Sequence, residues 1–336
     1  HCGLEILSGE HIPPQWQGDF VANDFRSHRV CRFTVKPNGS GYLSRQQPEI
    51  ITTEHVAFRP IDARMGPDGA LYVADWYNPI IQHGEVDFRD ERRDRKHGRV
   101  WRVSFPERPL DPWPDFARQT DDQLFASLED SAFAIRQFAR QELWRRAETD
   151  PEGLLNKMAH WRDSGDVAAR SLELAWMYEV AGRVELDQAE AALKTADAAG
   201  SNNQRTLLRS LWRNRVHLPP DSAEYGKLVD LITSRVDNDD PRVRLEAVLC
   251  NGQLRGVDAV DRVARAAAMP IDDNLDFAIW QALRNLTGQD AGLMLSEIDW
   301  AGRHDQLAFA VAAIGDAGAA ETAVEMIEQG TVDPES

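Results

Sequence analysis

The residues most able to do chemistry gather in one short stretch of the first third of the chain. Arg59 stands just before Pro60 at the mouth of a strand-like run. Asp75-Trp76-Tyr77-Asn78 closes the next run. A polar excursion then covers Tyr77 to His97, with Gln82-His83-Gly84-Glu85 and the dense charge string Asp87 to His97. Arginine and histidine in such density can hold an anion through charge-assisted hydrogen bonds. They can equally pair with the interspersed Asp and Glu to make a self-neutralised surface loop. Loops this long inside a compact domain are often functional, but the expectation here leans to the salt-bridged surface loop, packed against the helical domain.

The elements that would position these groups are short and turn-bounded. Residues 19–22, 29–35, 70–74 and 99–103 are runs of β-branched and aromatic residues flanked by Gly, Pro, Asn and Asp, the signature of strands. Gly18-Asp-Phe-Val-Ala-Asn-Asp-Phe25 and Gly69-Ala-Leu-Tyr-Val-Ala-Asp-Trp76 repeat 51 residues apart. A matching second strand follows each: His28-Arg-Val-Cys-Arg-Phe-Thr-Val35 and Gly98-Arg-Val-Trp-Arg-Val-Ser-Phe105. A repeat of this length built from antiparallel strands predicts two blades of a β-propeller, with further blades expected upstream.

Around Gly66-Pro67-Asp68-Gly69 the chain reverses, so the start of the first strand and the end of the second share one sheet edge. Arg59, Asp75, Trp76, Tyr77, Asn78 and His83 are expected there. By the repeat, His1, Asp24 and Arg26 take the matching edge of the preceding blade. Arg59 is expected either to face the axis as an exposed cation or to be held in a salt bridge to a neighbouring blade, and Asp62 and Asp68 to serve strand edges and turns.

Composition changes after Pro106. Three prolines between Pro109 and Pro114 mark a linker over 107–119, and from 120 to 330 the pattern is helical. Segments beginning at Arg136, Arg170, Arg205, Arg244, Trp280 and Phe309 align with one another at spacings of 29 to 39 residues, near the period of helix-pair solenoids. Asp239-Asp240-Pro241-Arg242-Val243-Arg244 resembles the turn of a HEAT repeat, where Asp caps the second helix and Pro sits in its first turn. The expected class is therefore β followed by α. The last two blades of a propeller occupy 1–106, and an all-α HEAT-like solenoid with tryptophans in its core occupies 120–330.

Bulk properties exclude several classes. The net charge of −17 argues against a nucleic-acid partner, which needs a basic footprint. No run of about 18 apolar residues exists to span a membrane. Cys2, Cys31 and Cys250 show no CxxC, haem-binding CxxCH or zinc spacing, so buried thiols are expected, a Cys2–Cys31 bridge being the one pairing conceivable. No metal site, phosphate-binding loop or nucleophile motif is present. The chain opens at His1 without a leader, which reads as a piece of a longer protein.

The segments His1-Cys-Gly-Leu-Glu, Gly18 to Phe25, Phe58-Arg-Pro-Ile-Asp, Gly66 to Pro79 and His97-Gly-Arg-Val-Trp-Arg102 resemble a family of bacterial membrane-bound dehydrogenases found in planctomycetes and verrucomicrobia. These are similar to soluble sugar and sorbosone dehydrogenases with a propeller that binds pyrroloquinoline quinone (PQQ). The resemblance covers about the first 105 residues; the helical part matches in architecture only. It implies a periplasmic or otherwise extracytoplasmic protein that oxidises a sugar or alcohol by hydride transfer to PQQ, with calcium. It also implies a c-type haem domain beyond the helices, and a protein partner on their surface. Arg59 matches the arginine that helps hold the acidic quinone in such enzymes, while a second arginine of that motif is replaced by Ile61. Asp75, His1 and His83 complete the candidate cofactor-binding set. The family's catalytic histidine lies in an earlier blade, so no catalytic residue is assigned and this segment alone is expected to be inactive. The competing expectation is a non-catalytic module holding a glycan or a protein.

Overall fold

The computed structural model describes residues 2–330, apart from 83, 185, 200 and 289. Seven strands precede all thirteen α-helices of the described residues. β1 (Cys2–Ile6), β2 (Phe20–Asp24), β3 (Arg29–Asn38) and β4 (Gly41–Thr52) form a four-stranded sheet in that order. A second sheet holds β5 (Pro60–Met65), β6 (Leu71–Asp75) and β7 (Arg99–Val103). The neighbours β1–β2, β2–β3, β5–β6 and β6–β7 run antiparallel.

The turn between β5 and β6 follows from its residues. Gly69 holds φ +80, which glycine adopts without strain. The Asp68 carboxylate accepts from the Ala70 amide at 3.1 Å and from the Tyr72 hydroxyl at 2.9 Å, and pairs with Arg102. Burial raises the Asp68 pKa, but these donors outweigh it and leave the group below its ordinary value.

The two sheets repeat down to an irregularity. In β1 the register slips between Cys2 and Leu4, at Gly3, and in β5 between Pro60 and Asp62, at Ile61. A bulge thus sits at the first pair of each leading strand. The equivalent strands β2 and β6 nevertheless bury opposite faces. β2 buries Val21 and Asn23, whereas β6 buries Leu71, Val73 and Asp75. With the repeats aligned on Asp24 and Asp75, which pair with Arg29 and Arg99, these positions differ by one residue, and one residue exchanges the faces of a strand. The front of one sheet therefore packs on the back of the next. Val21, Val30, Ala63, Met65, Leu71 and Val73 share the resulting core.

The helices follow: α1 (Asp121–Ser127), α2 (Phe133–Ala147), α3 (Pro151–Asp163), α4 (Val167–Val180), α5 (Leu186–Ala199), α6 (Ser201–Asn214), α7 (Ala223–Thr233), α8 (Pro241–Asn251), α9 (Val257–Arg265), α10 (Asp273–Thr287), α11 (Ala291–Ser296), α12 (His304–Ile314) and α13 (Ala317–Glu328). The chain up to Trp161, strands included, forms one compact unit. Arg162 onward, with the turn Asn38–Gly41, forms the other.

Within the second unit α4 packs on α6, α6 on α8, α8 on α10 and α10 on α12, so alternate helices make one layer. The segments that repeat in sequence fall on α2, α4, α6, α8, α10 and α12. Asp240 caps α8 by accepting from the Arg242 amide, Pro241 opens the helix, and Val243 is fully buried. Trp212 and Trp300 fill the core as expected. Trp280 does not. It is 37% exposed and stacks on Phe277 at 5.6 Å, with Arg284 over its ring. Spacings of three and four put these residues on one outer face of α10.

All three cysteines are free thiols, Cys31 and Cys250 buried and Cys2 partly so. Burial raises the pKa of each, that of Cys250 far above its ordinary value.

Candidate functional site: a clamped rim

Strand pairing brings Pro60 opposite Asp75, so the start of β5 and the end of β6 share one edge. Arg59 and Asp75 meet there, but not as exposed groups. Arg59 is only 5% exposed, so of the two expectations the open cation does not hold, and its partners are carbonyls in place of a carboxylate. Proline at position 60 fixes an extended entry into β5, and the guanidinium turns inward. Its Nε donates to the Asn78 carbonyl at 2.9 Å. Nη1 donates to the Phe25 carbonyl at 2.8 Å and the Arg26 carbonyl at 3.3 Å, and Nη2 to the Pro79 carbonyl at 3.1 Å. One side chain thus ties the loop after β2 to the loop after β6. Burial lowers the Arg59 pKa and the nearby Asp75 charge works against that.

Asp75 is 3% exposed and equally occupied. One carboxylate oxygen accepts from the Arg59 amide at 2.8 Å and the Tyr77 amide at 2.9 Å, and the other from the Trp101 indole at 3.0 Å. In the preceding repeat Asp24 does related work, accepting from the Ser27 amide and twice from Arg29. Burial would raise the Asp24 pKa, and these donors lower it on balance.

Two residues of this rim hold left-handed backbone, His28 at φ 56 and Tyr77 at φ 52. Such conformations cluster at sites where the surroundings over-determine them. His28 Nδ1 lies 2.9 Å from the Phe58 carbonyl, which makes it the donor and leaves Nε2 to accept from Arg59 Nη1 at 3.5 Å. The Tyr77 ring has Arg99 3.5 Å above it, His55 stacked at 5.7 Å and His97 edge-on at 6.2 Å. Cations over a tyrosine face are attracted by its quadrupole. Nothing in the order of residues singled out His28, His55 or Arg99. The available signal was that His28 and Arg99 belong to the strand pair that repeats.

The excursion after Asn78 satisfies itself to a large degree. Arg92 pairs with Asp90, and Arg93 donates to the carbonyls of Gln82, Val86 and Asp87. Arg95 donates to the Phe88 carbonyl, and Asp94 holds His97 at 2.8 Å. The amides of Lys96 and His97 with the His97 ring bring the Asp94 carboxyl down to about 2. The Asn78 side chain donates to the Asp94 carbonyl and joins the two feet of the loop. Arg89 and Lys96 carry no ion pair among the described residues and border a groove of about 600 Å³, beside Tyr77, Arg92 and His97. A second groove of about 640 Å³ is lined by Arg26, Ile80, Gln82, Glu85 and Arg92.

Of the predicted cofactor-binding set, Arg59 and Asp75 are brought together, while His1 and His83 lie outside the described residues. Neither Arg59 nor Asp75 presents a free group to a groove. Among the described residues no three His, Cys, Asp or Glu side chains gather to hold a metal ion. With their polar atoms engaged by protein groups, Arg59 and Asp75 have none left over to hold an acidic quinone. No helix among them is long and apolar enough to cross a membrane.

The fold is thus a strand region of two repeated sheets followed by a helical array. A family model described as a domain of unknown function (DUF7133) matches residues 1–107, the strand region as a whole. No curated protein and no solved structure matches the chain.

Proposed function

We propose that this chain is a segment of a quinone-dependent sugar or alcohol dehydrogenase, comprising the last two blades of its propeller and a HEAT-like interaction domain. The segment supplies the rim and not the catalytic groups. The observation that carries this is the front-to-back packing of two sheets with identically placed bulges, which puts both sets of loops at one edge, locked together by Arg59. Head-to-tail packing of repeats is how blades succeed one another around an axis. The groove between Tyr77 and Lys96 suits an anionic group at the mouth of the site. PQQ, calcium and the catalytic histidine belong in this reading to other blades, in an extracytoplasmic protein that passes electrons to a c-type haem domain. The alternate-helix layer serves as a surface for a protein partner.

A second reading is favoured by the full occupation of Arg59 and Asp75: a non-catalytic propeller that holds a glycan or a protein. Titrating the full-length protein with PQQ and calcium, followed by absorbance, separates the two. Saturable binding with sugar-dependent reduction of an artificial acceptor supports the dehydrogenase. Absence of binding overturns it and leaves the module.

A further inference from the structure

An open groove of about 560 Å³ runs between the segment 113–117 and α2. It shares no lining residue with the grooves of the rim. α2 contributes Phe138, Gln141, Glu142 and Arg145, whose spacings of three, four and seven put them on one helix face. The segment is held to α2 in two ways. Arg146 Nη2 donates to the carbonyls of Phe116, Ala117 and Gln119, and the Phe116 ring stacks on Phe138 at 5.8 Å.

The groove leaves large aromatic surface in water. Trp113 is 65% exposed and Phe138 38%. Tryptophan is on average a highly buried residue, so an indole this open calls for a reason. Pro112 and Pro114 flank it. A proline fixes its own φ and holds the residue before it in extended backbone. The indole is thus presented on a stiff segment, and a ligand that covers it orders little that is not ordered already.

The polar groups of the groove are few. Arg145 gives Nε and Nη2 to Glu142 in a bidentate pair and keeps Nη1 unused. Neither the Trp113 indole N–H nor the Gln141 side-chain amide has a hydrogen-bond partner among the described residues. Asp115 pairs with Arg118. The lining therefore carries no surplus positive charge, unlike the groove beside Lys96.

We propose that this groove binds a neutral oligosaccharide, one pyranose ring lying on the Trp113 indole with its hydroxyls bonded to Gln141 and Arg145 Nη1. A pyranose has an apolar C–H face and a rim of hydroxyls that donate and accept. That matches an aromatic floor edged by a planar amide and a guanidinium. An oxyanion-bearing sugar needs unpaired cations, which the lining does not offer. The site goes beyond the rim and does not depend on its function.

Calorimetric titration of the full chain with cellohexaose, maltohexaose and hexagalacturonate tests it. Saturable heat is expected from a neutral hexasaccharide at millimolar concentration, and less from the acidic one. Trp113→Ala should weaken binding about tenfold and Gln141→Ala about threefold, with the helical circular dichroism unchanged. Should Trp113→Ala lose helicity, Gln141→Ala carries the test. Trp280→Ala removes another exposed indole and should leave binding as it is. No saturable heat from either neutral sugar overturns the proposal. So does a folded Trp113→Ala chain that binds as before, or a loss that falls on Trp280→Ala instead. Tighter binding of hexagalacturonate overturns the neutral class. Proline-rich segments also dock in aromatic grooves, so decaproline is the rival probe. If it alone binds, and Trp113→Ala abolishes that binding, the groove belongs to a peptide and the proposal falls.

Discussion

Each of the two units contains one buried arginine that clamps backbone carbonyls, and the pair shows how sheets and helices differ in what they leave unsatisfied. Arg59 uses Nε, Nη1 and Nη2 on carbonyls of Phe25, Arg26, Asn78 and Pro79. Arg244 uses Nη1 on Asn238 and Asp239 and Nη2 on Pro270, and its buried Nε has no partner. Burial lowers the pKa of both, against nearby carboxylates that raise it. Helices satisfy their own backbone, so only the turns between them need outside donors. Loops leaving strand ends have no such internal ladder, and the rim arginine is correspondingly the more fully engaged.

The largest test of this contrast is Arg59→Met. It strands four carbonyls at a buried crossing and should cost about 3 kcal/mol. The denaturation midpoint of the full chain measures it, and hydrogen exchange should rise first around 24–28 and 76–80. Arg244→Met should cost less, about 2 kcal/mol, with exchange confined to 238–240 and the turn near Pro270. Equal losses, or a larger one at Arg244, would break the comparison. Lysine sharpens it. A single ammonium cannot span divergent carbonyls, so Arg59→Lys should recover little of the loss and Arg244→Lys more.

Asp75→Asn keeps one acceptor but loses the charge beside Arg59, for an expected cost of about 1 kcal/mol. The Trp101 indole bonded to Asp75 should report it as a fluorescence change.

An effect of similar size is expected in acid. Arg145 and then Arg146 hold the Glu142 carboxyl down to about 2, against an ordinary 4.5. A depressed carboxylate contributes stability that is complete above its unfolded pKa and is lost as pH falls through the folded one. Stability should therefore decline between about pH 4.5 and 2, by about 1 kcal/mol from this group once solvent screening is allowed for. Glu142→Gln should flatten that part of a pH series of urea melts.

Much of the scaffold could be read from residue order, and the reasons are local. β2, β3, β6 and β7 alternate or concentrate β-branched residues between turn formers, and the recurring helical segments all land on alternate helices. β4 escaped because Gly41–Thr52 is polar and mostly exposed, leaving no apolar rhythm to detect. Trp280 was misassigned to the core because a repeat position does not fix which face of α10 it takes. At the rim, pairing geometry placed Arg59 beside Asp75, but their partners are carbonyls and amides, which every residue carries and no sequence pattern marks. Burial of the guanidinium could not be foreseen for that reason.

The excursion from Tyr77 to His97 has one further consequence. Arg59 grips it at Asn78 and Pro79, Asn78 reaches across to Asp94, and much of the charge between is cancelled within the loop itself. Both ends are thus fixed near the strand ends while the middle leans mainly on its own residues. Such a segment can be shortened, lengthened or exchanged as a cassette without disturbing the strands that carry it, which makes it the place where evolution, or an engineer, can vary what the rim recognises at least cost to folding.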